Sequence, residues 1–311
     1  MLTKQKRAKS LLRQVGQNKS LLMMLSPTVL YTILFSYIPM VGVILAFKSY
    51  NYAKGVFGSP WNGVGNFRFL FLSNKLWALT RNTLLYNFAF IVVGIILEVG
   101  FAILLNEIRC KWFKKIFQSF MFLPHFLSWV IAVALVQAIF HYEYGFINRI
   151  IAMFGGNPID IYTTKSVWPI LLVCFTAWKR TGYGSVVYLA AVTGIDPGLY
   201  EAASIDGANN WQRIFHITLP SLLPTILIMF LMAVGQIFRG DFGMFFQLVG
   251  NNGVILEVAD ILDLYVYRAL ASNSNIGMGA AAGLYQSVLC FITVVCVNAL
   301  VKKIDPDYSL F

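Results

Sequence analysis

Two sets of residues stand where chemistry can happen. One is a polar island at residues 200–220. It opens Tyr-Glu-Ala-Ala-Ser-Ile-Asp-Gly-Ala and closes Thr-Leu-Pro, with long apolar runs on either side. The other is a few ionisable side chains inside those runs: Glu98, Lys179 and Arg180, the last two close to Trp178, Tyr183 and Tyr188. Ionisable groups at that depth are costly, and they face a cavity or a partner charge. Neither set is a catalytic constellation. There is no GxxxxGK[ST] phosphate loop, no HExxH and no GxSxG, and nothing resembles a nucleophile with its base. ATP hydrolysis of the phosphate-loop type is therefore excluded, and energy-driven work would need a partner. Cys110, Cys174, Cys290 and Cys296 form no CxxC pair, and His125, His141 and His216 are scattered. They give no metal or disulfide signal.

The elements that must position these residues are membrane helices. Of the 311 residues, 58% are hydrophobic and only 12% charged, against about 25% charged in a soluble domain. Several runs exceed the ~20 residues that cross a bilayer, and they are continuous rather than alternating, which excludes a barrel. The fold class is all-α, a polytopic membrane protein of six spans at about 21–47, 82–106, 116–141, 167–193, 218–238 and 280–301. Residues 1–20 and 302–311 read as basic tails. Pro124 is a possible kink in the third span, and the sixth starts in a small-residue run, Gly277 to Gly283. Six spans put both termini on one side. That side carries thirteen Lys and Arg against nine opposite, most densely in the first tail and the 107–115 loop. The bias places both termini, and the polar island, in the cytoplasm. The net charge of +11 is read the same way, not as a nucleic-acid surface.

Within the island, Asp196 can cap a helix and Pro197 suits its first position. The spacing predicts a short helix over 197–205, a break at Asp206-Gly207, a second helix over 209–217, and the next span starting at Pro220. Such a helix–turn–helix can lie on a membrane surface and dock a partner. Ala202 and Ala203 allow close approach, Gly207 permits a sharp turn, and Glu201 offers a charge. Trp211 and Phe215 are expected to anchor the second helix on its own membrane domain.

The order Glu201-Ala202-Ala203, three residues, Gly207, nine residues, Ile217, one residue, Leu219-Pro220 resembles the EAA motif of permease subunits in binding-protein-dependent ABC importers. Asp206 and Ala208 match the longer sugar-permease form. Trp178, Gly182, Tyr188, Leu189, Ala190, Ile195-Asp196-Pro197 and Leu199-Tyr200 look like the fourth span of sugar permeases. Tyr37-Ile38-Pro39-Met40, Ala46-Phe47-Lys48, Ser59-Pro60-Trp61, Val258-Ala259-Asp260 and Tyr265-Val266-Tyr267-Arg268 look like the LplB-type branch of the maltose-type superfamily, linked to oligosaccharide and polysaccharide fragments. The resemblance implies a type I importer permease in a bacterial cell membrane, with segment 196–217 as the coupling element. It implies a second, homologous permease, two ATPase subunits holding ATP and Mg, and an extracytoplasmic solute-binding protein. This chain itself would hold no cofactor and no metal. The alternative, a secondary transporter working alone, calls for paired broken helices and internal repeats, which the sequence does not display.

On that reading Glu98, Trp178, Lys179, Arg180, Tyr183 and Tyr188 are candidates for a substrate path, with Asn82, Asn87 and Gln137 behind them. Aromatic faces can stack on a sugar ring, and basic groups suit an acidic sugar such as a uronate. Alternatively, Lys179 and Arg180 pair with Glu98 or a neighbouring subunit and only fix packing. The outward loop 239–279, with Asp241, Glu257, Asp260, Asp263 and Tyr265, either meets a docked binding protein or folds on the membrane domain.

Overall fold

A computed structural model describes residues 18–72, 75–271 and 275–304; most of the two basic tails lies outside them. Apart from a single bridge between Lys48 and Trp61, the described residues form helices, turns and loops. The chain opens with α1 (Lys19–Thr32), which continues through a π turn and a 3-10 stretch to Phe47. A short α2 (Gly65–Leu72) leads to α3 (Lys75–Glu107). Then come α4 (Lys111–Phe126), α5 (Trp129–Phe140), α6 (Phe146–Met153) and α7 (Trp168–Thr193). The island supplies α8 (Pro197–Ile205) and α9 (Asn210–Arg213), and α10 (Leu219–Val234) follows. Beyond it stand α11 (Phe242–Leu248), α12 (Gly253–Ala259), α13 (Leu262–Ala271) and α14 (Ile276–Ile304).

Four of these stretches are long and apolar enough to cross a membrane: Lys19–Phe47, Lys75–Glu107, Asn210–Val234 and Ile276–Lys303. The third predicted span is not one helix. It is the pair α4 and α5, which meet at 102°. Pro124 lies in the last turn of the first of them, and Ser128 caps the second by accepting from the Ile131 N–H at 3.3 Å. Among the described residues this is the single bent pair of its kind, so it lacks the counterpart that a repeat-built secondary transporter would show. The fourth predicted span, α7, has 26 residues, about 39 Å at 1.5 Å per residue. Lys179, Arg180, threonines and glycines interrupt its apolar run. A helix walled in by others can carry them, and α7 buries Trp168, Leu172, Thr176, Gly184, Ser185 and Tyr188.

The α3–α7 pair is the spine, packed along most of its length. Small residues let backbones approach. A Cβ on Gly182 would overlap the Met121 carbonyl of α4, so α4 can sit directly on α7. Ala281 and Ala282, both fully buried, let α14 pack against the 38–47 stretch and α13. The 239–279 loop hangs from α3. Asn82 donates to the Asp260 carbonyl (3.2 Å), Tyr86 donates to the Val258 carbonyl (3.0 Å), and Thr83 accepts from the Leu262 N–H (3.0 Å). Arg268 pairs with Asp260 beside them. Burial pushes the Asp260 carboxyl above the ordinary aspartate range, against the pull of Arg268. Much of loop 239–279 is thus folded onto the helices.

Candidate functional site

Two places carry the predicted site residues, and they are built differently. In the island, Asp196 caps α8 by accepting from the Gly198 N–H at 2.9 Å. The helix ends as a Schellman motif: the Gly207 N–H donates to Ser204 and the Ala208 N–H to Ala203. Gly207 has φ +79°, the left-handed region, and a Cβ there would meet nothing within 4 Å. Its requirement is conformational rather than steric. Asn209 and Gln212 close a capping box at 2.8 and 2.9 Å. Arg213 ties the two helices by donating to Ser204 Oγ (3.1 Å) and Asn210 Oδ1, and Tyr200 and Thr218 share a hydroxyl bond of 2.9 Å.

The second helix of the island differs from expectation. It is no separate unit: α9 runs through a π turn, Ile214–Thr218, straight into α10. The π turn lies just before Pro220, which has no N–H to give, and such a bulge absorbs the interruption without ending the helix. Nor do Trp211 and Phe215 anchor on the membrane domain. They stack on each other with centroids 6.3 Å apart and face outward. Glu201, Ala202, Asp206, Gly207 and Pro220 are exposed, while Ala203, Ala208 and Leu219 are half-buried. Ile205, at 87% exposure, leads an apolar rim with Leu199, Trp211 and Phe215. The island is an exposed helix and turn with an apolar rim.

The other place is a cavity of about 520 Å³ between α3, α7 and α10, reaching to 239–241 and Asp263. Of the predicted path residues, Glu98, Arg180 and Tyr188 line it, as does Asn87. Trp178, Lys179 and Tyr183 do not. Trp178 lines a separate apolar groove of about 480 Å³ with Phe101, Phe117, Phe120 and Met121. Tyr183 stacks on His125 of α4 at 4.3 Å. Lys179 turns to the α4–α5 break, where its Nζ donates to the carbonyls of Pro124 and His125 (3.2 Å each) and of Leu127, over the Trp129 ring. A cation at a helix C-terminus satisfies carbonyls that have no other donor. Asn82 is committed to the 239–279 loop, and Gln137 is exposed on α5.

Arg180 does not pair with Glu98; it pairs with Asp241 at 3.0 Å, and Asp241 also caps α11. Asp263 accepts from the Gly240 N–H (2.7 Å) and from Gln286 (3.0 Å). Arg239 lines the cavity and is in no ion pair among the described residues. Sequence reasoning missed Met229, Met232, Gln236 and Arg239 as wall residues. The i, i+3, i+4 spacing of Met229, Met232 and Ala233 puts them on one face of α10, with Gln236 in the turn just past its end, and was the available signal.

Comparison with known proteins gives this geometry its family. Residues 83–306 match the model of the binding-protein-dependent transport system inner membrane component. Among curated proteins the chain is 34% identical over 307 residues to the polygalacturonan/rhamnogalacturonan transport system permease protein YteP of Bacillus subtilis, covering 99% of this chain and 95% of that one. It is 33% identical over 291 residues to protein LplB of the same organism, covering 94% and 91%. Among solved structures it superposes with a TM-score of 0.87, at 30% identity, on a chain of a bacterial ABC transporter involved in the import of the acidic polysaccharide alginate, covering 95% and 99%. A second structure of an alginate transporter, in complex with its alginate pentasaccharide-bound periplasmic protein, matches with a TM-score of 0.85. The chain belongs to the family of binding-protein-dependent transport system inner membrane components.

Proposed function

We propose that this chain is the permease subunit of an ATP-driven importer for an oligosaccharide or polysaccharide fragment, forming half of the translocation path. The reading adds a second permease, two ATPases that hold ATP and Mg, and an extracytoplasmic binding protein. Both termini and the 196–217 segment face the cytoplasm. ATP closes the ATPase pair, α8 follows its docking cleft, and the two permeases tilt so that the cavity opens outward; hydrolysis resets them. The observation that carries the reading is the exposed Schellman turn at Gly207 with its apolar rim, set between two membrane helices. α9 runs unbroken into α10, a wall of the cavity, so a push on the turn has a continuous helix to travel along. The carbohydrate class is supported by the names of the relatives and by the sugar-permease form of the motif.

The test is reconstitution in proteoliposomes. Uptake of a labelled oligosaccharide is expected with the partner permease, ATPase, ATP and binding protein together. Uptake by the purified chain alone would sink the proposal.

A further inference from the structure

Thr176, Arg180, Gly184 and Tyr188 recur every four residues on α7 and so form one stripe of that helix. Three of them line the cavity; Gly184 does not. Its role is visible from the opposite wall. A Cβ on Gly184 would collide with the carboxyl carbon and both carboxyl oxygens of Glu98. The missing side chain is a notch, and the Glu98 carboxylate of α3 occupies it between the levels of Arg180 and Tyr188.

Arg180 attracts that carboxylate through space but does not bond it. Glu98 is in no ion pair and accepts no hydrogen bond among the described residues. Arg180, one turn away on the stripe, is taken by Asp241. The Tyr188 hydroxyl is likewise without a partner, although the residue is 0% exposed. Buried hydroxyls without partners are rare and costly. That hydroxyl and the unbonded, half-buried Glu98 carboxylate line one cavity, and together they call for a ligand or solvent that comes and goes. Across the cavity stand Met229, Met232 and Ala233 of α10, an apolar wall.

We infer that Glu98 and Tyr188 form a subsite for the ring hydroxyls of a sugar. A carboxylate can accept two neighbouring O–H groups, and a phenol can donate to or accept from a third. The methionine wall then meets the apolar face of the ring. The carboxylate also repels an acid group, so this position takes hydroxyls and not the carboxyl of a uronate. That leaves the exposed, unpaired Arg239 as the cation for such a group. The inference rests on the proposed transport of carbohydrate and adds which groups hold the ring.

The experiment uses the full chain assembled with its partner subunits in proteoliposomes. The probes are labelled trigalacturonate and its carboxyl-reduced, neutral trisaccharide. Tyr188→Phe removes one oxygen and no packing. It is expected to lower uptake of both probes at least fivefold, while the melting temperature of the assembled complex stays level or rises, because a hydroxyl without a partner is removed. Glu98→Gln is expected to lower uptake of the neutral probe by a similar factor and of trigalacturonate by less, since the repulsion goes with the charge. A fall in melting temperature with uptake unchanged makes the Tyr188 hydroxyl structural and overturns the subsite. So does unaltered uptake of both probes in the two variants. Either result in a complex that still imports by ATP hydrolysis removes the subsite alone and leaves the importer reading standing.

Discussion

The turn at 196–213 and the cavity wall of α3 and α7 are held together over very different sequence distances. In the turn, the Asp196 cap, the Gly207 Schellman motif, the Asn209 box and the Arg213 tie link residues no more than nine apart. In the wall, Lys179 reaches Leu127, Arg180 reaches Asp241 and Thr83 reaches Leu262, at separations of 52, 61 and 179 residues. A locally built element keeps its shape without its surroundings, so it can face outward and be carried as a unit. A wall built from distant pieces exists only when the whole fold does. The first suits a handle, the second a lining.

The comparison breaks most readily at Gly207. Gly207→Asp is expected to lower ATP-driven uptake by more than tenfold, with the complex still inserted and the purified chain melting within a few degrees of the original. The substitution places a charged side chain on the docking surface and, like any non-glycine residue there, costs about 1 kcal/mol of local strain. Unchanged uptake would show that the turn is not a handle. On the wall side, Lys179→Met keeps most of the side chain's length and removes the ammonium that donates to three carbonyls at the α4–α5 break. A stability loss of about 2–3 kcal/mol is expected, read by thermal unfolding in detergent; an unaltered midpoint would mean that the bend holds itself. Thr83→Val leaves the buried Leu262 N–H without its acceptor, at about 1–3 kcal/mol, and hydrogen exchange should rise first at 258–262. The smallest effect belongs to the handle again. Arg213→Ala on the exposed surface should cost under about 1 kcal/mol, yet lower uptake severalfold by loosening α8 from α9. A stability loss equal to that of Lys179→Met would erase the distinction.

The same division governs what could be read from residue order. The helix at 197–205, its cap at Asp196 and the break at Gly207 follow from local rules, and the structure has them where those rules put them. Pro220 misled, because local rules allow a proline either to start a helix or to follow a π turn inside one. Pro124 suggested a kink; at the 102° break Lys179, 55 residues from Pro124, also donates to the carbonyls of Pro124, His125 and Leu127. Trp178, Lys179, Arg180 and Tyr183 are neighbours in sequence but point around a helix, so one of the four reaches the cavity. Gly184 was legible in principle, since Arg180, Gly184 and Tyr188 share a face at four-residue spacing. What residue order did not show was that a carboxylate from α3 lies opposite the gap.

The 33 residues of α3 form one uninterrupted rod, about 50 Å long at 1.5 Å per residue. Near its N-terminal end, Asn82, Thr83 and Tyr86 grip the backbone at 258–262, and farther along it carries Glu98. Mechanically this is a first-class lever with its load bolted on. A tilt of about 5° about the midpoint would sweep either end by about 2 Å, in opposite directions. Because the grip is to main-chain groups, the segment 258–262 would travel with the rod rather than slide over it. Such a tilt would carry Glu98 and residues 258–262 in opposite directions without any side chain having to change its partner.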